Sequence, residues 1–246
     1  MFEQLDRQKA RLDSLRPLPP ALARNLHEDL VLRWTYHSNA IEGNTLTLKE
    51  TRVVLEGITV GGKLLREHFE AINHRDAILF VEQLVTEAGP LTEWQIRAIH
   101  QLVLRHIDDE QAGRYRAINV LIAGADARPP DGPYVPAQMA SLIRWLEEAG
   151  PSLHPVERAA RLHADFVKIH PFADGNGRTA RLLMNLELLK AGFPAVVLPV
   201  EQRLRYYEAL DLAHTRDSYG PFLALIADCV EAGFAVYWRA LGLTEP

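Results

Sequence analysis

One run of nine residues, His170-Pro171-Phe172-Ala173-Asp174-Gly175-Asn176-Gly177-Arg178, places a proton acceptor, a carboxylate and an anion cradle side by side. His170 offers an imidazole whose ordinary pKa lies near neutrality, the property a general base needs. Asp174 suits Mg²⁺, which takes few protein carboxylates and completes its shell with water and phosphate oxygens. Gly175 and Gly177 let the backbone approach a ligand, and the helix that follows presents unpaired amides to an anion. Arg178, Arg181 and Asn185 share one face of that helix. Arginines at a helix start oppose the helix dipole, so an anion is expected to compensate them, and polyphosphate is the obvious candidate. Singly, Asp174 and Asn176 read as turn residues and His170 as a core histidine; jointly they read as a site.

Far upstream, Ser38-Asn39-Ala40-Ile41-Glu42-Gly43-Asn44 puts a glutamate in the last turn of a predicted helix. A carboxylate there faces the negative end of the dipole, so Glu42 calls for a cationic partner. Taken alone it would be a solvated residue before a glycine cap.

The elements that must position these groups are helical. A first helix ends near Leu15 and Arg16, because Pro17, Pro19 and Pro20 follow, which leaves residues 1–20 as an N-terminal arm. Leu22, Leu26, Leu30 and Trp34 mark a helix from Ala21 to about Ile41, stopped by Gly43 and Asn44. Thr47 with Glu50, and Thr92 with Gln95, have the spacing of capping boxes that open the helices after them. A long helix is expected over 64–87, and others over 92–107, 137–149, 155–169, 176–191, 201–214 and 219–242. In the helix from Pro155, Val156, Ala159, Ala160, His163, Phe166 and Val167 line one face, and Pro171 ends it at His170. Phe222, Leu225, Ile226, Cys229 and Phe234 read as core. Only residues 114–136 change texture: Ala117 to Ala123 is strand-like, Arg128 to Pro133 turn-like, and Tyr134-Val135 a candidate return strand, which predicts a β-hairpin flap. The class is mostly α with that small flap.

Composition narrows the function. The chain has 246 residues, 48% of them hydrophobic, enough for a buried core. A net charge of -5 with dispersed Lys and Arg offers no basic face for a nucleic-acid backbone. Cys229 is the single cysteine, which excludes an internal disulfide and cysteine-rich metal sites and fits a reducing cytoplasm. The charged start of the chain lacks an apolar leader, and no stretch reads as a bilayer span, so neither export nor a membrane is expected.

The His170–Arg178 run resembles the signature of the Fic family, His-Pro-Phe-x-Asp/Glu-Gly-Asn-Gly/Lys-Arg, at every specified position. The resemblance extends over roughly Leu26 to Ala232. It implies a Fic-type helical domain over 21–246, with an inhibitory helix at about 26–43 and a catalytic core at about 92–214. It implies a protein adenylyltransferase, in which His170 deprotonates a Ser, Thr or Tyr hydroxyl of a target protein and AMP passes from ATP to that oxygen. Asp174 would hold Mg²⁺, Gly175, Asn176 and Gly177 would cradle the α- and β-phosphates, and Arg178 and Arg181 would contact the β- and γ-phosphates. Phe172 would anchor the loop. Tyr206 and Tyr207 match a family pair near the nucleoside, whereas His214 stands where close relatives often carry Asn, which leaves the base preference open. The flap would align target backbone by strand addition.

Ser38 to Gly43 is similar to the family's inhibitory motif, Ser/Thr-x-x-x-Glu-Gly/Asn, and by that resemblance the cationic partner of Glu42 is Arg181. The pair would occupy the γ-phosphate's arginine and brake the enzyme from within the chain. Rival readings are hydrolytic removal of AMP, alone or in a bifunctional enzyme, a nucleotide-binding regulatory module without catalysis, and another donor such as UTP, GTP or CDP-choline. A homodimer is a further expectation from similar proteins.

Overall fold

The computed structural model describes all residues except Met1, Ala88, Ala123, Ala125, Glu245 and Pro246. Among the described residues the chain forms ten α-helices: α1 (Glu3–Ser14), α2 (Pro20–Ile41), α3 (Leu48–Leu55), α4 (Leu65–Thr86), α5 (Glu93–Leu104), α6 (Val135–Glu148), α7 (Pro155–Ile169), α8 (Asn176–Lys190), α9 (Arg203–Arg216) and α10 (Gly220–Leu241). Both expected capping boxes form, with the Thr47 and Thr92 hydroxyls accepting from the Glu50 and Gln95 amides.

The centre is the consecutive pair α7 and α8, which pack on each other more extensively than any other two helices. α8 is buried on all sides from Arg178 to Leu188, so it carries no amphipathic stripe and serves as the spine of the molecule. On one flank Ile78, Val81, Ile96, Val103, Met139, Phe166 and Leu182 join α4, α5 and α6 to it. On the other flank Leu5, Leu12, Val156, Leu188, Leu210, Phe222, Val230 and Phe234 join α1, α9 and α10. Each such side chain contributes roughly 1.5–3 kcal/mol on burial, which holds the spine rigid beneath the site. α1 lies on α10, where Trp238 Nε1 donates to Gln8 Oε1 at 2.8 Å.

α10 is long and apolar enough to cross a bilayer by length and composition, contrary to the sequence reading. In the fold, its Phe222, Leu225, Ile226, Cys229, Val230, Phe234 and Trp238 are buried as core, the role expected for that stripe.

The hairpin flap is not found. Among the described residues no strand forms, and the return segment is helical, because Gly132–Tyr134 makes a 3-10 turn that runs into α6 at Val135. Ala123 and Ala125, at the predicted tip, lie outside the described residues. The two arms approach without a ladder: the buried Arg116 guanidinium donates to Ile118 O and Pro130 O, both at 2.7 Å, and Asn119 Oδ1 accepts from the Gly132 amide at 2.9 Å. Side-chain donors occupy the carbonyls a partner strand would have used. The approach is close enough that a Cβ on Gly132 would fall 2.3 Å from Ala117 backbone, so only glycine fits.

Candidate active site

The loop between α7 and α8 is held at both ends. α7 terminates at His170, which adopts a left-handed conformation (φ 51°, ψ 59°) uncommon for a residue with a side chain. Arg116 secures the exit, its Nε donating to His170 O at 2.7 Å and its Nη2 to Ile169 O at 3.2 Å. A guanidinium at these orphan carbonyls satisfies the helix end and complements its dipole. Phe172 is fully buried and stacks on His100 with ring centroids 3.5 Å apart. Asn176 closes the loop on itself, accepting from the Phe172 amide at 2.9 Å and donating to Phe172 O at 2.8 Å. Its side chain therefore shapes the cradle, and what it can offer a ligand is its amide.

His100, on α5, was not picked out by the sequence reading. The Gly113 amide donates to its Nδ1, which makes Nε2 the protonated nitrogen, and Nε2 donates to Asp174 O at 2.9 Å. Burial draws its pKa down to about 4, so it stays neutral and keeps both bonds. Gly175 follows at φ 75°, with His100 and Val103 tight against the position of its missing Cβ.

His170 and Asp174 both lie in this loop. Burial lowers the His170 pKa to about 4, Arg116 adds to the effect, and Glu42 and Asp174 oppose it, so the imidazole is neutral and able to accept a proton at pH 7. Burial would raise the Asp174 carboxyl, but Arg178, the Gly175 amide and Arg66 outweigh it and keep it ionised below the usual carboxylate range. Its Oδ1 accepts from the Gly175 amide at 2.5 Å and from Arg178 at 3.3 Å, and its Oδ2 from Arg66 at 2.5 Å.

Arg178 is buried; its Nη1 lies 3.5 Å from Glu70 Oε1 in an ion pair, and its Nε has no hydrogen-bond partner. Arg181 is buried too. It donates to Ser38 Oγ at 3.0 Å, to Ser38 O at 2.9 Å and to Tyr206 at 3.4 Å. Tyr206 in turn meets Nε2 of the neutral, buried His163 at 3.1 Å. The Tyr206 ring is buried beneath Arg181, and half-exposed Tyr207 donates to Ile41 O at 3.3 Å. Asn185, expected on the arginine face, instead donates to Val196 O and accepts from the Val196 amide, which fixes the segment after α8. His214 is spent on Ala164 O at 2.9 Å.

Glu42 is where two helices meet. It caps the C-terminus of α2, and its Oε1 accepts from Arg181 Nη2 at 2.7 Å. A Cβ on Gly177 would lie 2.2 Å from that same oxygen, so the carboxylate rests directly on the first turn of α8. The wrong end of its own helix is thus the right end of another, since the amides and dipole of α8 attract an anion there. No group of three or more His, Cys, Asp or Glu side chains gathers among the described residues; beside the cradle, Asp174 presents a single, half-exposed carboxylate.

The Fic/DOC family model matches residues 90–188, a span that contains the loop and most of both flanking helices. A solved structure of Caenorhabditis elegans Fic-1 (residues 134–508) is 36% identical, with a TM-score of 0.86, covering 97% of this chain and 73% of that one. The chain belongs to the Fic/DOC family. A Fic domain containing signaling protein from Bacteroides thetaiotaomicron is 30% identical with a TM-score of 0.87, and 99% of each chain is covered. The protein adenylyltransferase Fic of Drosophila persimilis is 39% identical over 248 residues, covering 99% of this chain and 48% of that protein; the homologue of the same name from Nematostella vectensis is 39% identical over 240 residues, covering 96% and 55%. The chain thus spans about half the length of the curated Fic relatives it matches.

In this Fic chain the loop residues and Arg181 converge as their spacing implied. What that spacing did not reveal is their support: His100, Arg116, Arg66, Glu70 and Ser38. For Arg66 and Glu70 the one available signal was their i, i+4 spacing on a predicted helix; for Ser38 it was the first letter of the motif that contains Glu42.

Proposed function

We propose that this chain is a protein adenylyltransferase, moving AMP from ATP onto a Ser, Thr or Tyr hydroxyl of a target protein, and that Glu42 holds it in an inhibited state. The observation carrying the reading is the Glu42 carboxylate on Gly177 and Arg181, an anion site filled by the chain's own anion. With Glu42 displaced, the first amides of α8 and the Arg178 and Arg181 guanidiniums would receive the polyphosphate. Neutral His170 would accept the target's hydroxyl proton. The hydroxyl oxygen would bond to the α-phosphorus, the bond from that phosphorus to the bridging oxygen of the β-phosphate would break, and pyrophosphate would leave.

Asp174 fits a Mg²⁺ ion attached by one protein carboxylate, because it is ionised, half exposed and next to the cradle. When bound, the ion would offset charge on the phosphates. Exposed Ile118 and Leu121 offer apolar surface to a target. A homodimer and a cytoplasmic setting belong to the same reading; exposed Ile58, Leu64 and Leu65 provide surface for the first, and a lone buried Cys229 suits the second.

The position of Glu42 also favours a second activity, since a carboxylate over the cradle can orient water for removal of AMP from a modified protein. One experiment addresses both. Transfer of label from ATP marked at the α-phosphate is followed for wild type, Glu42→Gly, and Glu42→Gly with His170→Ala, and each is also given an AMP-modified protein. Label that rises in the single variant and vanishes in the double supports an inhibited transferase with His170 as base. AMP removal lost in Glu42→Gly adds the hydrolase; no label in any form sinks the transferase.

A further inference from the structure

We propose that Arg66, on α4 and outside both motifs, is a positioning residue that occupies the Asp174 carboxylate in the resting state and must be released before a divalent cation can take it. The inference rests on the cation reading of Asp174 given above.

Both carboxylate oxygens are engaged at rest. Oδ1 is shared by the Gly175 amide and Arg178, and Oδ2, the half left for a cation, is taken by Arg66 Nη2 at 2.5 Å. A second cation could not join Oδ2 at the 2.0–2.1 Å distance typical of Mg²⁺ without lying against the guanidinium, so the two compete.

Arg66 is built to let go. Its side chain is 54% exposed, while its Nε holds Glu70 Oε1 at 3.1 Å, a carboxylate only 13% exposed. Glu70 is itself fixed from the far side, with its Oε2 accepting from Asn44 at 2.9 Å. Arg66 can therefore pivot about Glu70, giving up Asp174 and keeping its anchor. While it remains, it balances Asp174 from the solvent side. The sequence distance between Arg66 and Asp174, 108 residues, explains why no local motif contains both.

An ion pair this exposed is worth at most about 1 kcal/mol, so competition is modest, roughly two- to fivefold. The experiment uses the full chain carrying Glu42→Gly, with ADP as the nucleotide probe, and reads the free Mg²⁺ concentration that gives half of the ADP-induced rise in melting temperature. Arg66→Gln is expected to lower that concentration two- to fivefold, and Arg66→Lys, which keeps the charge, to stay within twofold of the parent. Asp174→Asn should abolish the Mg²⁺ response in both backgrounds. A parent that responds to Mg²⁺ while Arg66→Gln leaves the midpoint unchanged or raises it overturns the role of Arg66 alone. A parent whose ADP binding ignores Mg²⁺ overturns the cation reading of Asp174, and the competition with it.

Discussion

Replacing Glu42 by Gln keeps the size of the side chain and removes its charge, which makes it the sharpest perturbation of the resting site. Glu42 Oε1 receives Arg181 Nη2 at 2.7 Å, and Arg181 is 2% exposed with Ser38 and Tyr206 as its remaining partners. A hydrogen bond between charged groups contributes about 1.5–3 kcal/mol. The Glu42 side chain is about a third exposed, so solvent screening argues for the bottom of that range, about 1.5 kcal/mol, or roughly tenfold in an equilibrium constant. ATP that must displace the carboxylate should therefore bind roughly tenfold tighter to Glu42→Gln, while the nucleotide-free variant melts lower, because buried Arg181 loses its counter-charge. Calorimetric titration with ATP and thermal melts of the same samples measure both. A variant that binds ATP no tighter and melts no lower would show that the carboxylate does not stand in the anion's place.

Other outcomes follow from the same geometry. Gly177→Ala forces a methyl against Glu42 Oε1 and within 3.1 Å of Arg181 Nη1, so it should cost about 1–3 kcal/mol in the parent and clearly less in the Glu42→Gly background, a non-additivity readable in a double-mutant cycle of melts. Stability should fall with acid: His100 and His170 are held near 4, and His74 and His163 are also depressed, so between about pH 6.5 and 4 the unfolded chain binds more protons than the native one. That contribution is complete above 6.5 and is lost as pH falls toward 4. For His100 alone it is on the order of 3 kcal/mol, so His100→Gln should flatten the melting-temperature profile over this window. Asn185→Ala removes two buried hydrogen bonds to Val196 and should destabilise by about 2–4 kcal/mol in denaturant unfolding, with an unchanged midpoint counting against the assigned pinning role.

Much of the site was legible because its chemistry is local. His170, Asp174, Gly175, Gly177, Arg178 and Arg181 lie within twelve consecutive positions, where a helix end, a glycine loop and a helix start constrain one another by covalent geometry alone. The capping boxes at Thr47 and Thr92 were legible for the same reason. Beyond that range, sequence periodicity records which face of an element is apolar but not which neighbour meets it. For α8, expected as a helix over 176–191, it marked no single packing face beyond the arginines, because a helix buried all round has no stripe. The hairpin expected over 114–136 failed because strand propensity is conditional on a partner ladder, and here Arg116 takes the Ile118 and Pro130 carbonyls first. Chain separation marks the rest: His100 lies 74 residues from Asp174, Arg66 108 residues from it, and Glu42 139 residues from Arg181. The sequence alone, then, determined a helical chain with a base, a carboxylate and an anion cradle, and its resemblance to known motifs suggested the pairing of Glu42. Only tertiary packing decided that the end of α2 meets the start of α8, because that contact depends on how whole helices stack against a shared core and not on any local run of residues.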